Sequence, residues 1–436
     1  MTVSHRFTLR IDSLNSEGEG VARLGREVYF VPGALPQEEV DVLLDGRRRK
    51  VWQTRLLKIL TPSSERATPL CPHYQRCGGC DLQHLNYAAQ VQYKAERVQR
   101  ELARERVDVA HWASPIMSEP WHYRRKARVG VRYSKEKKLN IMGFREAASS
   151  HLTNIDRCVV LPEHPALDFA AWRELFNRLQ GRALITQMEV VVAENALALV
   201  LRVLKPLTGN DTQKIQEFIQ ARSTSLVQLW LKEEKGGAPK LLWPSQAEAL
   251  FHQVDGLQLN LGVDDFLQIN KSVNQQMVAQ AMAWLAPKEH EIIWDLFAGH
   301  GNFSMPLAKR GAQVWALEGA SYMVESLNAQ AQRLALSLSA QTVDLTAAQS
   351  LGNLPAPSAI LLDPPRAGAA EIMPVLIASG AARILYVSCD VATLARDLAL
   401  LNAHYRVVQA GIMDMFPQTH HVETMVLLEK KAKRHG

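Results

Sequence analysis

The sequence predicts an α/β protein built from several domains. The chain has 436 residues, more than one hydrophobic core usually organises, and 47% of them are hydrophobic, as in folded globular proteins. Short strand patterns fill its first part, and regular strand–helix alternation fills its last. We therefore expect an N-terminal β-barrel over residues 1–62, a central α+β domain over 63–262 and a C-terminal doubly wound, Rossmann-like domain over 263–436.

The N-terminal part is predicted to be a small barrel of the OB type. Turn signals with glycine or proline separate four short runs of alternating polarity. The runs are Phe7–Ile11, Val28–Val31, Glu39–Leu44 and Val51–Ile59. Such barrels often bind RNA, and the basic run 47–50 would lie in a loop between two strands. A purely structural barrel is the alternative.

Positive charge is concentrated in the central part. The net charge of +6 is moderate, but residues 121–138 hold eight Lys or Arg, one acid and three interleaved aromatic rings. Cations bind phosphates and flat rings stack on unpaired bases, so this segment is a candidate RNA-contact ribbon. A solvated sheet face is the alternative. Before it, residues 84–107 show a helical period whose polar face carries Lys94 and three arginines.

The five cysteines divide into a group of three and two isolated residues, Cys158 and Cys389. Cys71, Cys77 and Cys80 lie close together, and Cys158 is the candidate fourth ligand. No apolar stretch approaches the ~20 residues of a membrane span and no signal pattern begins the chain, so a cytoplasmic location with reduced thiols is expected. Zinc and an iron–sulfur cluster both accept four thiolates, and three close ligands with a remote fourth favour a closed cluster.

The C-terminal part contains a candidate cofactor site. Gly299-His-Gly301 follows the predicted strand Ile292–Phe297, so the turn permits close approach of a ligand. Glu318 and Asp344 end the next two strands, where they could receive ribose hydroxyls and an adenine amino group. This combination resembles the S-adenosylmethionine site of class I methyltransferases. A glycine turn in another α/β enzyme is the alternative.

Cys389 is the remaining thiol, and it ends the predicted fifth strand beside the same crevice. A helix starting near Val391 is expected to lower the pKa of this thiol and favour the thiolate. Methylation of uracil C5 requires such a nucleophile, because thiolate addition at C6 turns the ring into an enolate that is nucleophilic at C5. Glu423 is the candidate base that removes the C5 proton. A packed cysteine and a surface acid are the alternatives.

Four segments resemble the RNA uracil-5-methyltransferase family: Phe266–Asn270, Asp363–Gly368, Val387–Asp397 and His421–Met425. The resemblance implies Cys389 as nucleophile and Glu423 as base. It also implies cofactor contacts from Gln268, Phe297, Asn302, Glu318, Asp344 and Asp363. This chain departs from the family at Asp390 and Val391, where Asn-Pro is usual, and at Ala298, where Cys is frequent.

The resemblance also implies partners. In this family, the cysteine pattern is that of members with a 4Fe-4S cluster on Cys71, Cys77, Cys80 and Cys158. Residues 18–23 and 30–33 resemble the TRAM domain. Together these imply a monomeric enzyme that methylates 23S ribosomal RNA at uridine 1939 and binds neither DNA nor membranes. The alternatives are another 23S uridine, transfer RNA, an adenine amino-methyltransferase, and an RNA-binding cluster protein without activity.

Overall fold

The computed structural model describes residues 6–147, 149–223, 226–347, 351 and 354–432. Its N-terminal sheet comprises β1 Arg6–Arg10, β2 Ser13–Leu14, β3 Gly20–Leu24, β4 Glu27–Val31, β5 Glu39–Arg48 and β6 Val51–Thr61. The strand order is β1-β5-β6-β4-β3-β2. Asp12 N donates to Val21 O at 2.8 Å, which joins the end of β1 to β3 and curls the sheet around a small apolar core.

All four strands predicted here are confirmed, and the basic run 47–50 does lie where β5 turns into β6. The short strands β2 and β3 were not predicted, because glycines and acidic residues 16–20 give that stretch the composition of a turn.

Helix α1 Tyr87–Arg104 follows the cysteine segment. Asn86 caps it, with its side chain accepting from Ala89 N at 2.9 Å. Its apolar face packs into the core of the C-terminal domain, and residues 109–116 then run beside a strand of that domain. The predicted domain boundaries stay a prediction, but this stretch of the central region is attached to the C-terminal sheet.

The central sheet has seven strands in the order β13-β12-β11-β10-β7-β8-β9. They are β7 Lys126–Ser134, β8 Leu139–Arg145, β9 Leu152–Asn154, β10 Ile185–Val192, β11 Leu197–Val203, β12 Val227–Glu233 and β13 Lys240–Trp243. Helices α2 Phe169–Asn177 and α3 Gly209–Arg222 contribute Trp172, Phe176 and Ile215 to its core. The hairpin of β14 Phe251–Val254 and β15 Leu257–Asn260 leads out of this region.

The C-terminal domain is a doubly wound sheet, as predicted, in the order β18-β17-β16-β19-β20-β22-β21. Its strands are β16 Ile292–Leu296, β17 Gln313–Glu318, β18 Leu338–Thr342, β19 Ala359–Leu362, β20 Arg383–Ser388, β21 Tyr405–Met413 and β22 Glu423–Lys430. Its helices are α4 Lys271–Leu285, α5 Ser304–Lys309, α6 Ser321–Arg333, α7 Met373–Ser379 and α8 Val391–Leu401. β22 runs antiparallel to both of its neighbours, and apolar clusters cover both faces of the sheet.

None of the helices in the described ranges is long and apolar enough to cross a membrane.

Candidate active site

The site lies at the carboxyl edge of the C-terminal parallel strands, where ligands of open α/β sheets bind. β16 ends at Leu296, and Phe297 then takes a φ of 61°, which is unusual for a bulky side chain. Gly299 and Gly301 continue the turn with φ values of 55° and 86°. A strained turn held in place by packed neighbours is a frequent property of ligand sites.

Glu318 joins the end of β17 to this glycine turn. Its Oε2 accepts from Gly299 N at 3.0 Å, and its Oε1 accepts from Ala320 N at 3.0 Å. A side chain built on Gly299 would meet no heavy atom within 4 Å, so the outer side of the turn is open. Each carboxylate oxygen keeps a second lone pair for a ligand hydroxyl. The residues therefore fit a nucleoside ribose on this edge.

The other predicted cofactor residues surround the turn at different depths. Asn302 pairs amide to amide with Asn274 of α4, at 2.9 and 3.0 Å, so part of its hydrogen-bonding capacity fixes the loop itself. Gln268 is half-buried on the segment before α4, and its carbonyl oxygen accepts from Arg125 Nε at 2.9 Å. Asp344 is exposed after β18, and hydrogen bonds from Thr346 hold its pKa below the usual range.

Two acids with raised pKa values lie near the turn: Asp295 is buried and Asp363 is half-buried. Burial raises the pKa of Asp295 to about 7, and the Asp363 carboxylate adds to the rise. Burial also raises the pKa of Asp363 to about 7. Ser304 Oγ donates to Asp295, which partly compensates the buried charge. Carboxyl groups with pKa values near neutrality are typical of sites that bind cations or move protons.

Cys389 and Glu423 face each other across neighbouring strands. In the antiparallel ladder of β20 and β22, Val387 pairs with Met425 and Ser388 pairs with Thr424. β20 ends at Ser388, and the same register continued by one residue would oppose Cys389 to Glu423, the first residue of β22. Directly opposed residues of antiparallel strands have Cβ atoms roughly 4.5–5.5 Å apart. Both side chains therefore start from the same short stretch of the sheet edge.

The predicted lowering of the Cys389 pKa is wrong. Burial raises the pKa of this thiol to about 11, and Glu423 and Asp363 raise it as well. The helix expected near Val391 does begin there, but Asp390 caps it by accepting from Thr393 N at 2.9 Å. Cys389 therefore lies outside the cap, and burial, followed by the two acids, decides the direction of its pKa shift.

Arg366 is a further functional candidate, and it lies within the segment Asp363–Gly368 without a role predicted from the sequence. It is exposed just after Asp363, and its charge lowers the pKa of both Cys389 and Glu423. Burial and Asp363 nevertheless raise the pKa of Glu423 well above its usual range. Arg366 follows Asp363 by three positions, and this closeness to a predicted site residue was the signal in the sequence that could have identified it.

All four predicted cluster cysteines line one cavity of about 100 Å³. Burial raises the pKa of Cys80 to about 12 and that of Cys158 to about 11, and neighbouring thiols contribute in the same direction. Within the described part of the chain, however, no group of three or more His, Cys, Asp or Glu side chains is arranged to hold a metal ion. The structure thus brings the predicted ligands together without giving a coordination geometry.

Comparison with known proteins agrees with this architecture. Residues 252–341 and 351–431 match the family model described as tRNA (Uracil-5-)-methyltransferase, and residues 2–52 match the TRAM domain. The tRNA (uracil-54, C5)-methyltransferase of Pyrococcus abyssi, solved with S-adenosyl-L-homocysteine, superposes with a TM-score of 0.76 at 20% identity, covering 97% of this chain and 99% of that one. The fold is that of the S-adenosylmethionine-dependent methyltransferases with a Rossmann-like domain.

Sequence relatives narrow this class. The 23S rRNA (uracil(1939)-C(5))-methyltransferase RlmD of Shewanella piezotolerans is 38% identical over 434 residues, covering 98% of this chain and 96% of the relative. The protein of the same name from Shewanella baltica is 39% identical over 440 residues, with the same coverage. The chain belongs to the RNA uracil-5-methyltransferase family.

Proposed function

We propose that this protein transfers a methyl group from S-adenosylmethionine to C5 of uridine 1939 in 23S ribosomal RNA. The names of its relatives support this substrate. The observation that carries the proposed mechanism is the register of β20 and β22, which brings Cys389 and Glu423 to the same sheet edge, where Glu423 acts on the pKa of Cys389.

Cys389 is proposed as the nucleophile. With a pKa of about 11, it is a neutral thiol in the free protein at pH 7. Its sulfur forms a bond to C6 of the uracil, the C5–C6 π electrons move toward O4, and the thiol proton passes to the Asp363 carboxylate, so that Glu423 is left ionised for the last step. The target uridine must leave its stack to reach this edge.

S-adenosylmethionine bound at the glycine turn supplies an electrophilic methyl group. Gln268, Phe297, Asn302, Glu318, Asp344 and Asp363 are proposed to hold it. Among these residues, Glu318 has the strongest structural support. Its carboxylate accepts hydrogen bonds from the backbone N–H groups of Gly299 and Ala320, and the space beside Gly299 is open to a ligand.

Glu423 is proposed as the base of the last step. It takes the C5 proton, the C5–C6 double bond forms again, and the C6–S bond breaks to release Cys389 as a thiolate, which regains its proton from Asp363. The proton on Glu423 then leaves to solvent before the next cycle. A carboxyl group whose pKa is raised by burial is a stronger base, once ionised, than a carboxylate in water, which suits removal of a proton from carbon.

The mechanism predicts different outcomes for two variants. Cys389→Ala should abolish turnover and leave RNA binding intact, whereas Glu423→Gln should accumulate a methylated covalent RNA adduct. A denaturing gel detects the adduct as a slow band. Glu429→Gln, at the exposed end of the same strand, is the matched control and should behave as wild type. Normal methyl transfer by Cys389→Ala would falsify the mechanism.

The RNA substrate is tested separately by mass mapping of 5-methyluridine in ribosomal and transfer RNA from cells with and without the gene. Loss of the modification at uridine 1939 alone is expected. Loss in transfer RNA, or at another 23S uridine, would support the alternatives.

We also propose that Cys71, Cys77, Cys80 and Cys158 hold a 4Fe-4S cluster. Support comes from the cavity that all four thiols line and from the preference of such clusters for four cysteine ligands. A cluster there would cross-link residues 71–80 to the central sheet. Anaerobic purification should yield about four iron and four sulfide per chain; zinc without sulfide would contradict this.

The cytoplasmic location, the monomeric state and the exclusion of DNA and membranes stay predictions.

A further inference from the structure

The loop that delivers Glu423 is held largely by the central region. We call residues 414–422, between β21 and β22, the base loop. Its carbonyl groups accept hydrogen bonds from Lys94 and Arg97 of α1, and from Tyr123 at the start of the central domain. The C-terminal sheet therefore supplies the two ends of this loop, while other parts of the chain define its path.

Asp81 makes the most direct of these contacts. Its Oδ1 accepts from His420 N at 2.7 Å, and its Oδ2 lies 2.6 Å from His420 Nδ1. The backbone N–H groups of Asp81 and Leu82 both donate to Gln418 O at 3.0 Å. His420 is three residues before Glu423, and Asp81 directly follows Cys80. One short segment thus connects the cysteine cavity with the approach to the base.

A second pair of contacts fixes the same part of the loop. Gln90 Nε2 donates to Gln418 Oε1 at 3.1 Å, and Gln418 N donates to Gln90 Oε1 at 3.0 Å. Both glutamines are buried, so these bonds are shielded from competing water. Gln418 itself has a φ of 70°, a conformation that persists only where surrounding contacts impose it.

Cys389 depends on a different set of contacts. Its neighbours are fixed by the β20 ladder and by the cap of α8, where Ser388 Oγ contacts the backbone of Asp390. These contacts do not involve residues 81–90. A change in how Asp81 holds the base loop should therefore displace Glu423 and leave Cys389 in place.

We propose that Asp81 is a positioning residue for the proton-removal step. By holding His420, it fixes the point at which the base loop enters β22, and so the distance from the Glu423 carboxylate to the C5 proton. The proposal rests on the proposed role of Glu423 as the base. According to this proposal, the cysteine-bearing segment influences the proton-removal step without contacting the reacting atoms.

The test is a comparison of adduct formation and adduct release in Asp81→Ala. The full-length variant is mixed with S-adenosylmethionine and a 23S fragment that contains uridine 1939, and the covalent band is followed in time. Formation should proceed at nearly the wild-type rate, while release should slow tenfold or more, a part of the ~10²–10⁴ that a positioned base contributes. RNA carrying deuterium at uridine C5 should then show a primary isotope effect on turnover that is larger than in wild type.

Two matched variants complete the test. Asp81→Asn keeps a side-chain oxygen for His420 N and should restore release to near the wild-type rate. Glu146→Ala removes a carboxylate from the opposite side of the cysteine segment, where it pairs with Arg76 beside Cys77, and should leave both rates unchanged. A purely structural effect of Asp81→Ala would slow formation and release together without enlarging the isotope effect, and that result would overturn the proposal.

The outcomes separate this inference from the mechanism on which it rests. If Glu423→Gln accumulates adduct and Asp81→Ala releases it at the wild-type rate, the positioning role is wrong and the mechanism stands. If Glu423→Gln forms no adduct, the assigned base is wrong and the positioning role fails with it.

Discussion

Cys389 has two acidic neighbours that oppose the ionisation of its thiol. Burial is the larger cause of its raised pKa, and Glu423 and Asp363 add to it. A thiolate in the free enzyme would be open to oxidation and alkylation, whereas a neutral thiol is nearly inert. The raised pKa therefore makes Cys389 a weakly reactive thiol near neutral pH.

Alkylation of Cys389 in the free enzyme should accelerate about tenfold for each pH unit between pH 7 and pH 10, because only the thiolate reacts and the pKa is about 11. Iodoacetamide labelling with peptide mass analysis distinguishes Cys389 from the other four cysteines. Asp363→Asn should raise the rate at a given pH, and Arg366→Gln should reduce it, because the two charges act on this pKa in opposite directions. A plateau below pH 9 would contradict the raised pKa.

The direction of this pKa shift could not be obtained from the sequence. The local sequence shows a strand that ends before a helix, and helix amides favour a thiolate. Asp363 lies 26 residues upstream of Cys389 and Glu423 lies 34 residues downstream, and only the fold brings both to the thiol. The position of Cys389 at a strand end beside the crevice was predictable, but its electrostatic environment was not.

At the scale of single elements, the glycine turn after β16 combines two glycines with different roles. Gly299 faces open space with φ 55°, whereas a Cβ on Gly301 would lie 2.8 Å from Leu327 Cδ2 of α6. Gly301 is therefore required for helix packing, and Gly299 keeps room for a ligand.

Replacing each glycine by alanine should separate these roles. Gly299→Ala should cost about 1–2 kcal/mol of stability from its left-handed backbone and should weaken S-adenosylhomocysteine binding severalfold or more. Gly301→Ala should be the more destabilising change, because a packing clash adds to the same backbone cost. Thermal denaturation and calorimetric titration measure the two effects. Equal ligand affinity in Gly299→Ala and wild type would exclude the open space as the ligand position.

Most elements of the C-terminal domain were predictable, because parallel strands buried on both faces are short apolar runs in the sequence. Glu318 and Asp363 could be placed at the sheet edge for the same reason. The pairing of Asn302 with Asn274 could not, because an amide with a protein partner and an amide free for a ligand look alike in sequence.

At the scale of the whole molecule, α1 connects the central region to the C-terminal sheet through a buried ion pair. Lys94 Nζ lies 2.6 Å from Asp414 Oδ1, and both side chains are 0% exposed. The prediction that Lys94 lies on the polar face of its helix is wrong, because the side chain is fully buried. Its partner lies 320 residues away in sequence, so local periodicity could not reveal the pair.

Lys94→Met should destabilise the protein by about 3–5 kcal/mol, because it leaves Asp414 charged and buried without a partner. The double variant Lys94→Met/Asp414→Leu should recover much of this loss. Arg100→Met, on the exposed side of the same helix, should change stability by no more than about 0.5 kcal/mol. Thermal denaturation measures all three variants; a double variant as unstable as the single one would contradict the explanation.

The reversed direction of β22 has a consequence for how this enzyme can be altered. In a parallel sheet, every residue at the carboxyl edge is delivered by a strand that ends there, whereas Glu423 is the first residue of a strand that begins there. We therefore expect insertions into residues 414–422 to displace Glu423, the proposed base, and to leave the proposed nucleophile and the proposed donor site in their places. A redesigned loop of this kind would convert a catalyst into a reagent that labels its target uridine once and remains attached to it.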